Sequence, residues 1–334
     1  MNIEDVVVNK ELNVIFMGTP EFAVPVLQGL IDNYNVRAVV TQPDKPVGRN
    51  GEIKMSPIKQ LAMDNTILVL QPTNLKEEWQ DIMSIHPDII ITCAYGQIVP
   101  RELLVYPKYG CINVHASLLP KLRGGAPIHR AIIDGFRETG ITIMHMDAGL
   151  DTGDIISQKP ILIDDNDTAS TLHDKLSILG RDLLLETLPS IIDGTAPSIP
   201  QDNSISTFAS NIKPEDEKID FSKLKKQIYN QVRGLNSWPG AYFMLGGKRI
   251  KVYECIMSDN NFSNLIDGQI SGIYPEGLGI KVSNGEIILT KIKPEGKGIM
   301  KASDFINGFQ DKNSLIGKIC EWFYWNSKNY LEKR

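Results

Sequence analysis

The chain has 334 residues, of which 42% are hydrophobic and 22% charged, and this predicts about two globular domains. No apolar run approaches the roughly 20 residues that span a bilayer, and Met1–Leu12 lacks the apolar core of a secretory signal, so we expect a cytoplasmic protein without a membrane partner. The net charge of −5 is unevenly distributed along the chain. Residues 1–218 hold 18 Lys and Arg against 29 Asp and Glu, whereas residues 219–334 hold 17 against 11. The basic rear half favours contact with a polyanion.

The first 200 residues alternate short apolar runs with amphipathic stretches. Strands are predicted at Asn13–Met17, Val36–Thr41, Ile67–Leu70, Asp88–Thr92, Cys111–Val114, Thr142–Met146 and Ile155–Ile163. Helices are predicted at Glu21–Leu30 (with Thr19 as its N-cap), Pro57–Met63, Leu75–Ile85, Glu102–Leu104 and from about Thr168 to Leu188. Alternation of this kind with Val- and Ile-rich strands predicts an α/β fold, a doubly wound and mostly parallel sheet covered on both faces.

The rear of the chain has a different pattern. Residues 201–218 are polar and aperiodic, which indicates a linker between a domain at 1–200 and a second at 219–334. A helix at Phe221–Gly234 is followed by short strands that Gly and Pro interrupt, and these predict a small antiparallel β-barrel of the OB type. The strands are expected at Ala241–Leu245, Arg249–Cys255, Gly268–Ile273, Gly279–Val282 and Glu286–Ile292.

The position of a ligand site follows from the sheet, because an open parallel sheet binds ligands beyond the carboxyl ends of its strands. The turn after the first strand, Gly18–Ala23, contains one glycine and therefore does not match the dinucleotide-binding pattern. Four cysteines lie far apart in the sequence, with neither the spacing of a zinc site nor the density of a disulfide framework, so no metal is expected.

Three polar residues near strand ends suggest acyl transfer to an amine. Asn113 and His115 are two positions apart at the end of a strand and so share a face. Asp151 lies in the glycine-bearing loop MDAGLDTGD. Asn113 and protonated His115 are suited to stabilise a carbonyl oxygen that becomes negative, and Asp151 to orient the ring and collect a proton. Asp147 and Asp154 remain alternatives for the carboxylate.

Two longer runs carry a family resemblance. CINVHASLLPKLRGGAPIHRA (Cys111–Ala131) and GITIMHMDAGLDTGDI (Gly140–Ile155) resemble the formyl-folate-dependent formyltransferase family. VIFMGTPEFAVPVL, TQPDKPVGR, AYGQIVP, KIDF and the Trp-Pro-Gly-Ala turn resemble the branch of that family that acts on methionyl-tRNA. The resemblance implies transfer of a formyl group from 10-formyltetrahydrofolate, as co-substrate, to the amino group of initiator methionyl-tRNA for translation initiation.

The resemblance also implies roles for individual residues. It makes Asn113, His115 and Asp151 catalytic. It implies folate contacts in the segment Ser117, Leu118, Leu119 and Pro120, and in the loop Tyr95, Gly96, Gln97 and Ile98.

Contacts with tRNA are expected in two places. The family's tRNA-acting branch inserts a loop here at Asp44–Pro57, with Arg49 and Lys54 as candidates, although Asn50-Gly51-Glu52 replaces a more basic stretch. In the rear domain, basic residues are placed to follow phosphates, and the candidates are Lys248, Arg249, Lys291 and Lys293.

Two other functions remain open. One is a relative that formylates a small amine, such as a nucleotide sugar or a purine precursor. The other is a folate- or RNA-binding protein that has lost catalysis, against which the presence of Asn113, His115 and Asp151 argues. Because nothing in the sequence indicates a large apolar interface, we expect a monomer.

Overall fold

The computed structural model describes residues 9–47 and 52–320. The strands in this part of the chain are β1 (Asn9–Gly18), β2 (Tyr34–Val40), β3 (Lys45–Val47), β4 (Glu52–Lys54), β5 (Leu68–Leu70), β6 (Ile89–Cys93), β7 (Cys111–His115), β8 (Glu138–His145), β9 (Ile155–Leu162), β10 (Ala241–Leu245), β11 (Lys248–Ser258), β12 (Ile270–Ile273), β13 (Leu278–Val282), β14 (Gly285–Pro294) and β15 (Met300–Lys301). The helices are α1 (Val24–Asn33), α2 (Pro57–Asp64), α3 (Gln80–Met83), α4 (Arg101–Val105), α5 (Pro127–Ile133), α6 (Ala169–Asp193), α7 (Pro214–Glu217), α8 (Lys225–Gly234) and α9 (Ala302–Asn307). Short 3-10 helices lie at Glu21–Ala23, Asn203–Ile205 and Lys312–Leu315.

The described residues fall into two compact units. The first contains those of Met1–Pro127, Glu138–Leu162 and His173–Ser210, and the second those of Ile128–Arg137, Ile163–Leu172 and Asn211–Arg334. The segment predicted as a linker is therefore shared: residues 201–210 pack with the first unit and 211–218 with the second. The boundaries at 200 and 219 stay a prediction about which segments fold on their own.

A seven-stranded sheet organises the first unit. Its order is β5-β2-β1-β6-β7-β8-β9, parallel from β5 to β7 and antiparallel at β8 and β9. Every residue of β6 is buried, as expected for a strand covered on both faces. The predicted doubly wound, mostly parallel sheet is confirmed.

Strand register brings the carboxyl ends of three neighbouring strands together. Gly18 of β1 lies beside Cys93 of β6, and Thr92 of β6 lies beside Asn113 of β7. Thr19 is not the predicted N-cap, because its hydroxyl donates to the carbonyl oxygen of Tyr95 at 3.0 Å and α1 begins only at Val24. The helix predicted at Leu75–Ile85 is limited to α3, Gln80–Met83, because residues 75–77 form a turn in which the N–H groups of Glu77 and Glu78 both donate to the carbonyl oxygen of Asn74.

An antiparallel sheet forms the core of the second unit. Its order is β10-β11-β14-β13-β12, with β15 paired to β14. Helix α8 begins at Lys225 rather than at Phe221, since the ring of Phe221 is buried edge-on against Phe243 with the ring centroids 5.8 Å apart. The expected C-terminal antiparallel fold is confirmed, and within residues 211–320 strands β10 and β12 end the sheet on its two sides.

Candidate active site

Asn113 presents its amide from the end of β7. The hydroxyl of Thr92, on the neighbouring strand β6, donates to Asn113 Oδ1 at 2.8 Å. Since the oxygen of the amide lies at Thr92, its NH2 group points away from Thr92. No side chain or carbonyl in the described part of the chain accepts a hydrogen bond from that NH2 group. Asn113 therefore has two donor hydrogens available at the carboxyl edge of the sheet.

The His115 ring is almost fully buried, and its two nitrogens face different polar groups. Nε2 lies 3.1 Å from the carbonyl oxygen of Leu122, which can only accept, so Nε2 carries a hydrogen. Nδ1 lies 3.7 Å from Oδ2 of Asp151. Nδ1 therefore faces the carboxylate of Asp151. Nε2 can donate to a substrate only after its hydrogen bond to the carbonyl oxygen of Leu122 is broken.

Asp151 has an uncommon backbone conformation with φ +52°, in the left-handed region. Its Oδ2, the atom that faces His115, accepts a hydrogen bond from the main-chain N–H of Gly124 at 2.8 Å. The competing carboxylates have local partners: Asp147 bonds Thr152 and the N–H of Gly149, and Asp154 accepts from Ser198 at 2.6 Å. Of the three carboxylates, Asp151 is the one brought to the imidazole.

The segment Ser117–Pro120 is fixed to the sheet by its main chain. Thr142 on β8 donates to the carbonyl oxygen of Ser117 at 2.7 Å and accepts from the N–H of Leu119 at 3.1 Å. Gln158 on β9 donates to the carbonyl oxygen of Leu119 and to the hydroxyl of Thr142. The side chains of Ser117 and Leu119 are buried, whereas those of Leu118 and Pro120 are half-buried. Any ligand contact in this segment therefore falls mainly to Leu118, Pro120 and the main chain.

The second predicted folate loop, Tyr95–Ile98, also contains both buried and accessible residues. Tyr95 packs its ring in the core beside Leu75 and Val99, where burial and then the charge of Glu78 raise its pKa to about 12. Its hydroxyl is buried without a hydrogen-bond partner in the described residues. The Gln97 side chain bonds the main chain of Leu75 and Pro72.

The rest of this loop is open. Gly96 is exposed with φ +88°, and 69% of the Ile98 side chain is exposed. Gly96 and Ile98 are thus the accessible members of the loop Tyr95–Ile98, while the side chains of Tyr95 and Gln97 hold it in place.

The predicted tRNA contacts are basic residues of both units. Arg49 lies outside the described residues, and Lys54 is exposed on the β3–β4 hairpin. In the second unit, Ile250 and Ile292 point into the core, so the residues that flank them on β11 and β14 form an exposed face at this end of the two strands. That face and its edge carry Lys248, Arg249, Lys291 and Lys293.

These four cations differ in their neighbours. Arg249 lies 4.3 Å from the centre of the Tyr242 ring, and Lys291 pairs with Glu254 at 2.9 Å. Lys248 and Lys293 form no ion pair with a described residue. A phosphate therefore meets less competition at Lys248 and Lys293 than at Lys291.

Sequence reasoning missed the residues that hold the site together. Thr92, Leu122, Thr142, Gln158 and Gln201 all bond a predicted site residue or its main chain. A signal existed for Thr92, since it also ends a predicted strand. The other four depend on strand register and loop path, which periodicity does not report.

The open, mostly parallel sheet with polar side chains gathered at its carboxyl edge is the architecture of an α/β enzyme. Residues 11–188 match the family model described as formyl transferase, and residues 211–310 match the model for the formyl transferase C-terminal domain. The chain belongs to the formyl transferase family.

Curated relatives match along nearly their whole length. The chain is 48% identical over 308 residues to the methionyl-tRNA formyltransferase of Staphylococcus aureus strain MW2, covering 91% of this chain and 98% of the relative. It is 50% identical over 309 residues to that of Staphylococcus epidermidis strain ATCC 35984, covering 92% and 98%.

Solved structures share the fold. An N-formyltransferase from Helicobacter canadensis, in complex with folinic acid and dTDP-3-aminofucose, is 24% identical with a TM-score of 0.61, over 83% of this chain and 98% of the other. The methionyl-tRNA formyltransferase of Clostridium thermocellum is 19% identical with a TM-score of 0.53, over 75% of this chain and 95% of the other.

In the described ranges, no helix has the length and apolar character that crossing a membrane requires.

Proposed function

We propose that this protein transfers the formyl group of 10-formyltetrahydrofolate to the amino group of initiator methionyl-tRNA, giving N-formylmethionyl-tRNA for translation initiation. The observation that carries the proposal is the identity of about half of the residues to methionyl-tRNA formyltransferases over 98% of their length. The folinic acid bound to a relative of the same fold supports a reduced folate as the donor.

The chemistry assigned to Asn113 and His115 is stabilisation of charge. When the amine nitrogen attacks the formyl carbon, the formyl oxygen becomes negative. The free NH2 group of Asn113 donates to this oxygen, and His115 Nε2 exchanges its bond with Leu122 for the same oxygen. Pre-placed donors of this kind contribute about 100- to 1,000-fold each in rate in well-studied enzymes.

Asp151 is assigned two roles in the same step. Its carboxylate orients the His115 ring, and it takes the proton that the attacking amine loses, directly or through a water molecule. After the new C–N bond has formed, the carbonyl is restored as the bond from the formyl carbon to the folate nitrogen breaks, and that nitrogen takes up the proton that Asp151 received from the amine. The chain itself supplies no covalent nucleophile, because the attacking nitrogen belongs to the tRNA.

The exposed cations of the second unit are assigned to the tRNA backbone. Lys248 and Lys293 are available for phosphates, and Arg249 has the reach of a phosphate-binding side chain. Arg49 and Lys54 are proposed to contact the acceptor end. We further propose that the enzyme is a monomer in the cytoplasm, where initiator tRNA is used.

A single assay with three amines tests the proposal against its alternatives. Formyl-folate with a labelled formyl group is incubated with the protein and charged initiator tRNA, an amino-sugar nucleotide or a purine-precursor amine. The expected result is label on the tRNA. Label only on a small amine favours the small-amine alternative, and no transfer with any amine favours a non-catalytic binding protein.

A further inference from the structure

The side chain of Gln201 links two loops of the first unit. Its Nε2 donates to the carbonyl oxygen of Asp151 at 2.9 Å and to that of Gly153 at 2.8 Å. Its Oε1 accepts from Nη2 and Nε of Arg123 at 2.7 and 3.1 Å. Both hydrogens and both lone pairs of the amide are used, so its orientation is determined.

Arg123 is an unusual anchor for this amide. Only 3% of the residue is exposed, and its side chain bonds the neutral oxygens of Gln201 and Asn203, with no ion pair to a described carboxylate. Its main chain is fixed as well, since its N–H donates to the carbonyl oxygen of Thr207 and its own carbonyl oxygen accepts from Ala209. A buried guanidinium with a fixed backbone makes Gln201 Oε1 a charge-assisted acceptor with little freedom to move.

The group that Gln201 holds is the main chain of Asp151. The left-handed φ of Asp151 carries an energetic cost for a non-glycine residue and persists only when neighbouring groups enforce it. The direction of its carboxylate depends on that backbone conformation. Gly124, next to Arg123, holds the same carboxylate from the other side.

We propose that Gln201 is a positioning residue for Asp151: anchored on Arg123, it holds the Asp151 main chain so that the carboxylate faces His115. Gln201 acts through Asp151 and contacts no reacting atom. The proposal rests on the proposed function for its effect on rate, although the geometry it concerns is measurable without turnover.

The substitution Gln201→Glu tests the proposal sharply. It keeps the size of the side chain and the acceptor for Arg123, but it replaces the two N–H donors by an oxygen that repels both carbonyls. We expect kcat for formyl transfer to fall about 10- to 100-fold, with KM for both substrates within about twofold of wild type.

A matched control is Gln269→Glu in the second unit. The side chain of Gln269 also bridges main-chain groups, because it accepts from the N–H of Ile266 and donates to the carbonyl oxygen of Gly317. The control is expected to keep wild-type kcat.

A double mutant separates positioning from a structural role. If Gln201 acts through Asp151, then Gln201→Glu adds no further loss of kcat to Asp151→Asn. The same fold-loss in both backgrounds, wild-type kcat in Gln201→Glu, or an equal loss in Gln269→Glu would each overturn the proposal.

A crystal structure of the variant keeps this test distinct from that of the proposed function. We expect the Asp151 carboxylate to lie farther from His115 Nδ1 than the present 3.7 Å. An unchanged distance overturns the positioning role even if the wild-type protein formylates tRNA. A protein that formylates nothing but shows the displaced carboxylate contradicts the proposed function alone.

Discussion

At the carboxyl edge of the first sheet, the candidate side chains are each oriented by a hydrogen bond from a neighbouring residue. Thr92 orients the amide of Asn113, and Gly124 holds the carboxylate of Asp151. The three residue types could be predicted from the sequence, because an amide, an imidazole and a carboxylate near strand ends suit acyl transfer to an amine, and their catalytic roles stay a prediction. The neighbours could not, because a hydroxyl and a main-chain N–H carry no distinctive pattern until strand register is known.

Thr92→Val tests the orientation of the Asn113 amide. Valine keeps the buried shape but removes the hydroxyl, so the amide loses the bond that directs its NH2 group. We expect kcat to fall about tenfold with a smaller change in KM, measured as steady-state formyl transfer to methionyl-tRNA. The matched control is Thr139→Val, since the Thr139 hydroxyl is buried without a partner in the described residues. Equal rates in the two variants would show that Thr92 does not matter to the amide.

Asp151→Asn tests the carboxylate. Asparagine tolerates the left-handed backbone conformation, so the substitution removes charge with little strain. We expect kcat to fall by about 100-fold or more, because the His115 ring loses its anion and the amine its proton acceptor. Asp154→Asn, on the same loop but bonded to Ser198, serves as the control. A comparable loss in both variants would mean that the loop, rather than the carboxylate at 151, is responsible.

At the scale of elements, the sheet supplies the framework and the loops supply contacts that the sequence does not reveal. All strands of the two sheets except β15 could be located from apolar periodicity, and β10 matches its prediction at both ends. Helices were less predictable: residues 75–85 look amphipathic, but residues 75–77 form a turn on the carbonyl oxygen of Asn74 and only α3 is helical. Tertiary context overrides local propensity here.

Thr142→Val tests how the sheet supports the Ser117–Pro120 segment. The Thr142 hydroxyl bonds the main chain on both sides of Leu118, and its loss leaves buried groups of that segment unsatisfied. We expect the free energy of unfolding to fall by about 1–3 kcal/mol, measured by urea denaturation, and KM for formyl-folate to rise. Thr139→Val on the same strand should change neither, and an unchanged KM in Thr142→Val would separate this segment from folate binding.

On the scale of the whole molecule, acidic and basic residues are divided along the chain. The sequence already indicated a polyanion through the excess of basic residues after 218, but it did not show which cations remain unpaired. Lys291 is paired with Glu254, whereas Lys293, two residues along the same strand, has no ion pair among the described residues. Pairing of this kind depends on which strand lies opposite, and this is decided by the fold.

Lys293→Gln and Arg249→Gln test contact with tRNA phosphates. Each is expected to raise KM for methionyl-tRNA and to reduce the slope of log KM against log salt concentration by about 1, with kcat at saturating tRNA unchanged. Lys159→Gln is the control, since Lys159 is an exposed lysine of the first unit that pairs with Glu186. A salt slope equal to wild type in both variants would remove this face from the tRNA site.

The carbonyl of Leu122 affects which form of the formyl oxygen His115 can bind. It already accepts the Nε2 proton of His115, so a neutral formyl oxygen gains little by taking its place. An oxygen that has become negative forms a stronger hydrogen bond than a neutral carbonyl oxygen does, and it displaces that carbonyl. In the proposed mechanism, the carbonyl of Leu122 therefore competes with the substrate for His115 Nε2 until the formyl oxygen becomes negative, and this donor stabilises the transition state more than the bound ground state.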